Sequence, residues 1–472
     1  MSWYTARWRS LVLLGCWTVA CCPQPPKFVD QPVVWQVEDE RHIDEPEERL
    51  FDRFAQGFDW FLGRRSTRAL ELHDQELAHN INALGEVPDS SWFTNRIGVR
   101  RVDPSEARNG PVTQGPPVVP LQVVGGKAGG VNPGIIAKDS TGRTFLVKFD
   151  TKDNLEMQTA TNTIVNRIFW TLGYNVPSDT IFSFTPADLS IAEGAELKDE
   201  FGNKRLITQQ DVDDVLDLAP RHPDGHYRAS ASQFVPGIPK GGWSAEGTRD
   251  DDANDVIAHE HRREVRGLQV FSAWLNHTDL KEDNTLDAYV EEDGRKFLRH
   301  YLIDFGEALG GHAAEKGRYE DGYENWLDWG AQAKATVSFG LWVRDWEHLS
   351  ETRWPSIGAF THEHFDPREW REAYPYFPFA EVDDSDAYWA TKLILRFDRP
   401  LLRAIVEEGQ LTHPEAEDYL VDVLYKRREI MGRAYVQPLT ALDHFEMRPG
   451  QLCAVDLSVY HQLVTSGLVE VL

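Results

Sequence analysis

The chain has 472 residues, of which 41% are hydrophobic, 11% aromatic and 26% charged; this globular profile excludes collagen-like, low-complexity and wholly disordered polymers. At roughly 100–200 residues per domain, the length fits two to four domains or one large two-lobed enzyme with attachments. Lys and Arg number 49 against 76 Asp and Glu, a net charge of −27, so nucleic acid is set aside as a partner because the protein's own field opposes it.

At the N-terminus Arg7 and Arg9 precede an apolar run from Leu11 to Ala20, and Cys21, Cys22 and a Pro-rich stretch follow. This is the layout of a secretory signal, and the run is shorter than the ~20 residues a spanning helix needs. Thr18–Val19–Ala20–Cys21 resembles a bacterial lipoprotein processing site, with Leu13–Leu14–Gly15–Cys16 as the alternative and a cleaved signal with incidental cysteines as the other reading. The expectation is a signal peptide over 1–21, lipid on Cys21, a membrane attachment through that lipid, and a place in the bacterial cell envelope on the periplasmic or outer-membrane side. Cys453 stands apart from the other three cysteines, which leaves neither a disulfide framework nor a zinc spacing.

Val29 to Glu48 is acidic and proline-bearing, like a tether, and Phe51, Phe54, Phe58, Phe61 and Leu62 then draw an apolar helical stripe expected to dock on the main domain. Residues 22–117 are therefore read as tether and N-terminal helical extension. Pro104 to Pro120 reads as a boundary. Leu121–Val124 and Thr144–Phe149 predict strands, with glycines from Gly125 to Gly130 between them. Met157, Thr161, Ile164, Val165, Ile168 and Leu172 predict a helix that Gly173 closes. Residues 187–254 are polar and turn-rich with short strand candidates, and are taken as connection and insertion. From Asp255 the periodicity is helical through Val265, Leu268, Phe271 and Leu275, then over Ala387–Phe397 and Pro400–Glu408, and Thr412 with Glu415 makes a capping-box pattern. Residues 118–186 thus form a first lobe, 255–440 a second and 441–472 a C-terminal extension.

The stretch that carries chemistry is Asn276–His277–Thr278–Asp279–Leu280–Lys281–Glu282–Asp283–Asn284, followed by Leu302–Ile303–Asp304–Phe305–Gly306. His277, Asp279, Leu280 and Asn284 match H-x-D-L-x-x-x-N, and Asp304–Phe305–Gly306 matches D-F-G, so the chain resembles the protein-kinase-like superfamily in its atypical, lipid-kinase or HipA-like branch. It is also similar to uncharacterised bacterial envelope proteins with a Lys-Phe-Asp strand. The resemblance covers roughly residues 118–310. It implies an α+β, two-lobed fold with a small β-rich N-lobe carrying one main helix and a larger helical C-lobe.

The resemblance further implies a phosphotransferase using ATP and Mg²⁺, whose catalysis rests on positioning and charge neutralisation. Asp279 would orient or deprotonate the attacking hydroxyl, Lys281 would stabilise the transferring phosphoryl, and Asn284 with Asp304 would hold the metal. Lys148 would hold the nucleotide, Gly126, Gly129 and Gly130 would cover its phosphates, and Glu156 would either pair with Lys148 or be a carboxylate favoured at a helix N-terminus by the macrodipole. The partners implied are a nucleotide and an acceptor hydroxyl on protein, lipid or sugar. Asp293–Gly294, flanked by strand-like residues, signals a hairpin that returns Asp304 to the end where Asn284 sits.

The pattern departs from ordinary protein kinases: no G-x-G-x-x-G, no Walker motif and no A-P-E is present. A pseudokinase or non-catalytic nucleotide-binding envelope protein is the runner-up. His259–Glu260–His261 lacks the second histidine of a zincin and reads as a polar helix start, and the acidic groups Asp250–Asp252 and Asp383–Asp386 read as solvated turns or helix caps.

Overall fold

The computed structural model describes residues 33–51, 53–64, 66, 70, 76–126, 134–198, 204–312, 319–349, 352–439 and 441–464. The expected signal peptide over 1–21, with Cys16 and Cys21, and Gly129 and Gly130 lie outside these. Among the described residues no helix is long and apolar enough to cross a membrane.

The chain opens with two short helices, α1 (Arg53–Phe58) and α2 (Pro104–Asn109). One lobe is then built on a seven-stranded sheet: β1 (Leu121–Gly126), β2 (Gly134–Lys138), β3 (Thr144–Lys148), β4 (Asp179–Phe184), β5 (Leu189–Lys198), β6 (Lys204–Leu206) and β7 (Tyr227–Gln233), ordered β4-β7-β3-β2-β1-β5-β6. Its long helix is α3 (Met157–Leu172), and α4 (Gln209–Leu218) covers the far face. Alternation along β3 sends Phe145 and Val147 into a core with Phe149, Phe182, Phe184, Ala229 and Ala231. Each of the buried Phe and Val side chains contributes about 1.5–3 kcal/mol by leaving water. The same alternation turns Lys148 to the opposite face.

The sequence reading takes 187–254 as connection and insertion, whereas the structure gives three strands from this stretch to the first lobe's sheet, with β7 pairing between β3 and β4. The sequence offers short strand candidates here but not their place in the sheet, because β7 (Tyr-Arg-Ala-Ser-Ala-Ser-Gln) buries Tyr227 and Arg228 beside small residues and has no apolar run. Helix α3 is buried at every residue except Trp170, since it lies between the sheet and the second lobe: Ile164, Val165, Ile168 and Phe169 share a core with Val265, Leu268 and Phe305. Gly173 ends it at a φ of 141°, and a side chain there would collide with the Phe93 ring.

The second lobe is helical around α5 (Arg263–Leu275), with α6 (Trp329–Val337), α7 (Phe377–Ala380), α8 (Asp384–Ile394), α9 (Arg399–Val406) and α10 (Pro414–Tyr435) following. Asp383 caps α8 reciprocally with Asp386, as expected for a cap, but Asp386 is also buried and holds Arg263 and Arg266 at 2.9 and 3.3 Å. The capping box expected at Thr412 and Glu415 does not form. Pro414 occupies the first turn of α10, and the Thr412 hydroxyl and N–H are taken by Glu156 instead. Together the sheet-rich and helical lobes make the α+β two-lobed architecture the resemblance implies.

A three-stranded sheet of β8 (Ile238–Pro239), β9 (Thr285–Glu292) and β10 (Arg295–Leu302) hangs from the helical lobe. The β9–β10 turn has Asp293 and Gly294 at φ 50° and 75°, the left-handed pair a two-residue hairpin requires. Residues 33–49, largely the stretch read as a tether, are strapped first to the segment around Asp89–Ser91 and then to this unit. The Asp39 carboxylate accepts from the Ser91 N–H and hydroxyl, Ile43 is buried and donates its N–H to Lys296 O, and Arg49 N–H donates to Lys240 O. The Phe stripe is also turned differently from the expectation. A π-helical turn at Asp59–Gly63 continues α1, so Gln56 and Trp60 face inward while Phe54, Phe58 and Leu62 face solvent.

Candidate active site

Helix α5 ends at Asn276, left-handed at φ 49°, and releases the chain into the loop His277–Asn284. His277 is buried against the Phe169 and Phe305 rings, with Nδ1 3.0 Å from Glu307 O, and burial pushes its pKa down. Asp279 and Lys281 form an ion pair within the loop. The Asn284 amide donates from Nδ2 to Asp279 O at 2.6 Å and to Asp279 Oδ2 at 2.8 Å, which leaves the amide oxygen, an acceptor, for other partners.

The hairpin closes the site. Thr285 pairs with Leu302, and Ile303 N–H donates to Asn284 O at 3.0 Å, so Asp304 emerges beside Asn284. Asp304 sits at φ 61°, an uncommon conformation for a residue with a side chain. Its Oδ1 lies 2.7 Å from Lys148 Nζ, an ion pair that ties the sheet lobe to the hairpin's end. Phe305 N–H donates to Asn162 Oδ1 on α3 at 3.1 Å, and its ring stacks on Phe169 at 5.4 Å. A Cβ at Gly306 would lie 2.5 Å from Gln158 Oε1, so a side chain there would have to displace the Gln158 amide.

Carboxylates crowd this end of the cleft. Burial pushes the Glu307 carboxyl up to about 8; the negative charges of Asp279, Asp304 and Asp321 add to the rise and Lys281 opposes it. On the sheet side Asp179, fully buried, is pushed up to about 6 by burial, while Arg167, its hydrogen bond from Asn162 Nδ2 at 2.7 Å, and Lys148 pull it back. Asp304, Asn284, Asp279, Glu307 and Asp321 are all hard oxygen donors, the chemistry that suits Mg²⁺ rather than a soft metal. In donor chemistry these residues suit a hard divalent ion, and Asp304 with the Asn284 amide oxygen are the two that could hold one.

The structure thus brings together Lys148, Asp279, Lys281, Asn284 and Asp304. It does not bring Glu156 to Lys148. Glu156, left-handed at φ 68° ahead of α3, binds Thr412 of the helical lobe with both carboxylate oxygens, and the Lys148 ammonium goes to Asp304. Eight residues after the end of β3 the chain has turned away from that strand, so the pairing expected from the sequence is corrected. Gly126 ends β1, where a side chain would strike Leu197, and Gly129 and Gly130, expected to cover phosphates, fall outside the described residues. Asn162, Gln158, Asp179, Glu307 and Asp321 were not assigned from the sequence. Glu307 follows the D-F-G directly and could have been suspected, whereas Asn162 and Asp179 join the site only through the packing of α3 against β4.

Elsewhere Glu76, His79 and His261 gather metal-ligating atoms within 4.8 Å of one another. Arg266 donates to His261 Nδ1 at 2.9 Å, so the neutral ring carries its proton on Nε2, the atom a metal would need. This cluster is therefore read as hydrogen-bonded rather than metal-binding.

No protein-family model matches the chain, and no curated protein matches it. Solved structures of the Golgi casein kinase are similar to it at 11% identity, covering 88% of this chain and 94% of that one, with a TM-score of 0.35 for the crystal structure and 0.36 for the structure with Mn/ADP bound.

Proposed function

We propose that this protein is an atypical kinase-like phosphotransferase that uses Mg²⁺-ATP and transfers the γ-phosphoryl group to a hydroxyl acceptor. The observation that carries the reading is the Lys148–Asp304 pair at 2.7 Å, with Asp304 held left-handed at the end of the hairpin that begins at Asn284. A cation from the sheet and two oxygen donors from the hairpin's base converge there, which is what a nucleotide triphosphate with a hard metal requires.

In this reading Lys148 holds phosphate oxygens, and Asp304 with the Asn284 amide oxygen holds Mg²⁺, which neutralises phosphate charge when bound. Asp279, oriented from both sides by Lys281 and Asn284, accepts the acceptor hydroxyl's proton. The acceptor oxygen forms its bond to the γ-phosphorus as the bond to the ADP oxygen breaks, and Lys281 stabilises the charge on the group in flight.

The test is binding of ATP with and without Mg²⁺ to wild type and to Asp304→Ala. At ~100 times its dissociation constant a ligand adds about 2.7 kcal/mol of stability, so wild type should show a Mg²⁺-dependent rise in Tm that Asp304→Ala loses. Absence of any nucleotide-dependent shift in wild type refutes the reading. Mg²⁺-ATP binding without transfer to protein, lipid or sugar makes the protein a pseudokinase. Attachment through lipid on Cys21, and with it an envelope location, is proposed from sequence alone; mass spectrometry of the native N-terminus tests it, and an intact Met1 contradicts it.

A further inference from the structure

The loop that carries Asp279 and Lys281 is gripped by a segment more than 200 positions away in the chain. Glu282, next to Lys281, has a side chain only 3% exposed, and residues of the N-terminal segment take both of its carboxylate oxygens. Trp60 Nε1–H donates to Oε2 at 3.2 Å, and the Arg64 guanidinium pairs with Oε1. Arg64 is itself 10% exposed, oriented by Asp59 at 2.7 Å, and donates to Pro375 O at 3.1 Å. The grip has a second arm: Trp60 and Phe61 pack on the Tyr374 ring at 5.0 and 6.1 Å, and Lys281 Nζ lies 4.7 Å from the centre of the same ring.

A buried carboxylate needs its charge compensated, and an unpaired one drives its loop to rearrange toward water. The helical lobe holds Glu282 by its backbone, through Thr285 Oγ1–H donating to Glu282 O at 2.7 Å, but the cation for its side chain comes from Arg64. Lys281 and, through their ion pair, Asp279 are tied to whatever Glu282 does. We infer that Trp60 and Arg64 are positioning residues for the transfer step, holding Asp279 and Lys281 in place through Glu282 and Tyr374. This rests on the phosphotransferase reading, because it assigns the segment a role in that same site.

The experiment compares wild type with Trp60→Phe, Arg64→Gln, Arg64→Lys and Glu282→Gln, using Phe58→Ser on the exposed face as the control. Three readouts are taken: hydrogen exchange of the peptide spanning 276–286, the dissociation constant for Mg²⁺-ATP, and kcat for ATP turnover with water or hydroxyl as acceptor. Trp60→Phe, Arg64→Gln and Glu282→Gln should speed exchange in 276–286 while leaving β3 and α3 unchanged. They should lower kcat about ten- to hundredfold, the size of a roughly 1 Å misplacement of a catalytic group, with nucleotide affinity held. Arg64→Lys should recover most of both losses, and Phe58→Ser should match wild type.

Unchanged exchange in 276–286 overturns the inference, as does loosening spread evenly through both lobes, which is a merely structural role. Unchanged kcat with tight Mg²⁺-ATP binding also overturns it and leaves the phosphotransferase reading standing. Wild type that binds no Mg²⁺-ATP sinks the phosphotransferase reading, and the positioning inference with it, whatever the exchange of 276–286 reports.

Discussion

Replacing Lys148 with methionine separates what this residue does for the fold from what it does for the site. Methionine keeps an unbranched stem of similar length on β3 and deletes the ammonium that pairs with Asp304 at 2.7 Å. Asp304 is 36% exposed, so solvent screens the pair, and its loss is worth about 0–1 kcal/mol. Lys148 also helps to hold down the buried Asp179 carboxyl, which rises further above about 6 in the variant. The Tm should therefore move by no more than about 2–4 °C. Nucleotide binding loses a charge-assisted hydrogen bond to phosphate, worth about 1.5–3 kcal/mol, or roughly ten- to 150-fold in the dissociation constant. Titration calorimetry with Mg²⁺-ATP, run beside scanning calorimetry of the same samples, reads both quantities. Wild-type affinity in the variant refutes the placing of Lys148 at the phosphates, and a collapse of Tm with proportionate loss of binding shows the residue to be structural.

Asp279→Asn keeps the shape of the loop and should bind Mg²⁺-ATP within about threefold of wild type while transfer falls by about 10²–10⁴, read by steady-state kinetics. For Asp179 the folded value of about 6 lies above the ordinary 3.8, so its neutral form contributes stability that is fully present below pH ~4 and is lost as pH rises through 6. That contribution is about 3 kcal/mol at ~1.36 kcal/mol per pH unit, and denaturation of Asp179→Asn between pH 4 and 7 should lack it. Phe305 is fully buried on Phe169, and Phe305→Ala should cost about 3–5 kcal/mol in urea unfolding while loosening Asp304 beside it.

Much of the site was legible because motif and hairpin signals agreed. Asp279, Asn284 and Asp304 stand where H-x-D-L-x-x-x-N, D-F-G and the Asp293–Gly294 turn put them, since a two-residue turn leaves the register no freedom. The long helix was legible from its period and its closing glycine. What escaped depends on long-range pairing. Strand β7 is buried through Ala and Ser, so its composition carries no hydrophobic run. Glu156 was assigned to Lys148 from proximity in the chain, yet its partner is Thr412, 256 positions away. Phe54 and Phe58 face solvent while Trp60 and Arg64 on the same segment reach Glu282, a contact that no local pattern encodes.

The central claim is that Mg²⁺-nucleotide binds where β3 meets the base of the β9–β10 hairpin. Crystals grown with Mn²⁺ and a non-hydrolysable ATP analogue test it most directly through the anomalous signal of the ion. The account predicts a peak within coordination distance of a carboxylate oxygen of Asp304 and the amide oxygen of Asn284, with the analogue's phosphates facing Lys148. An analogue seated away from the Lys148–Asp304 pair, or a cleft still empty at saturating nucleotide, would contradict it.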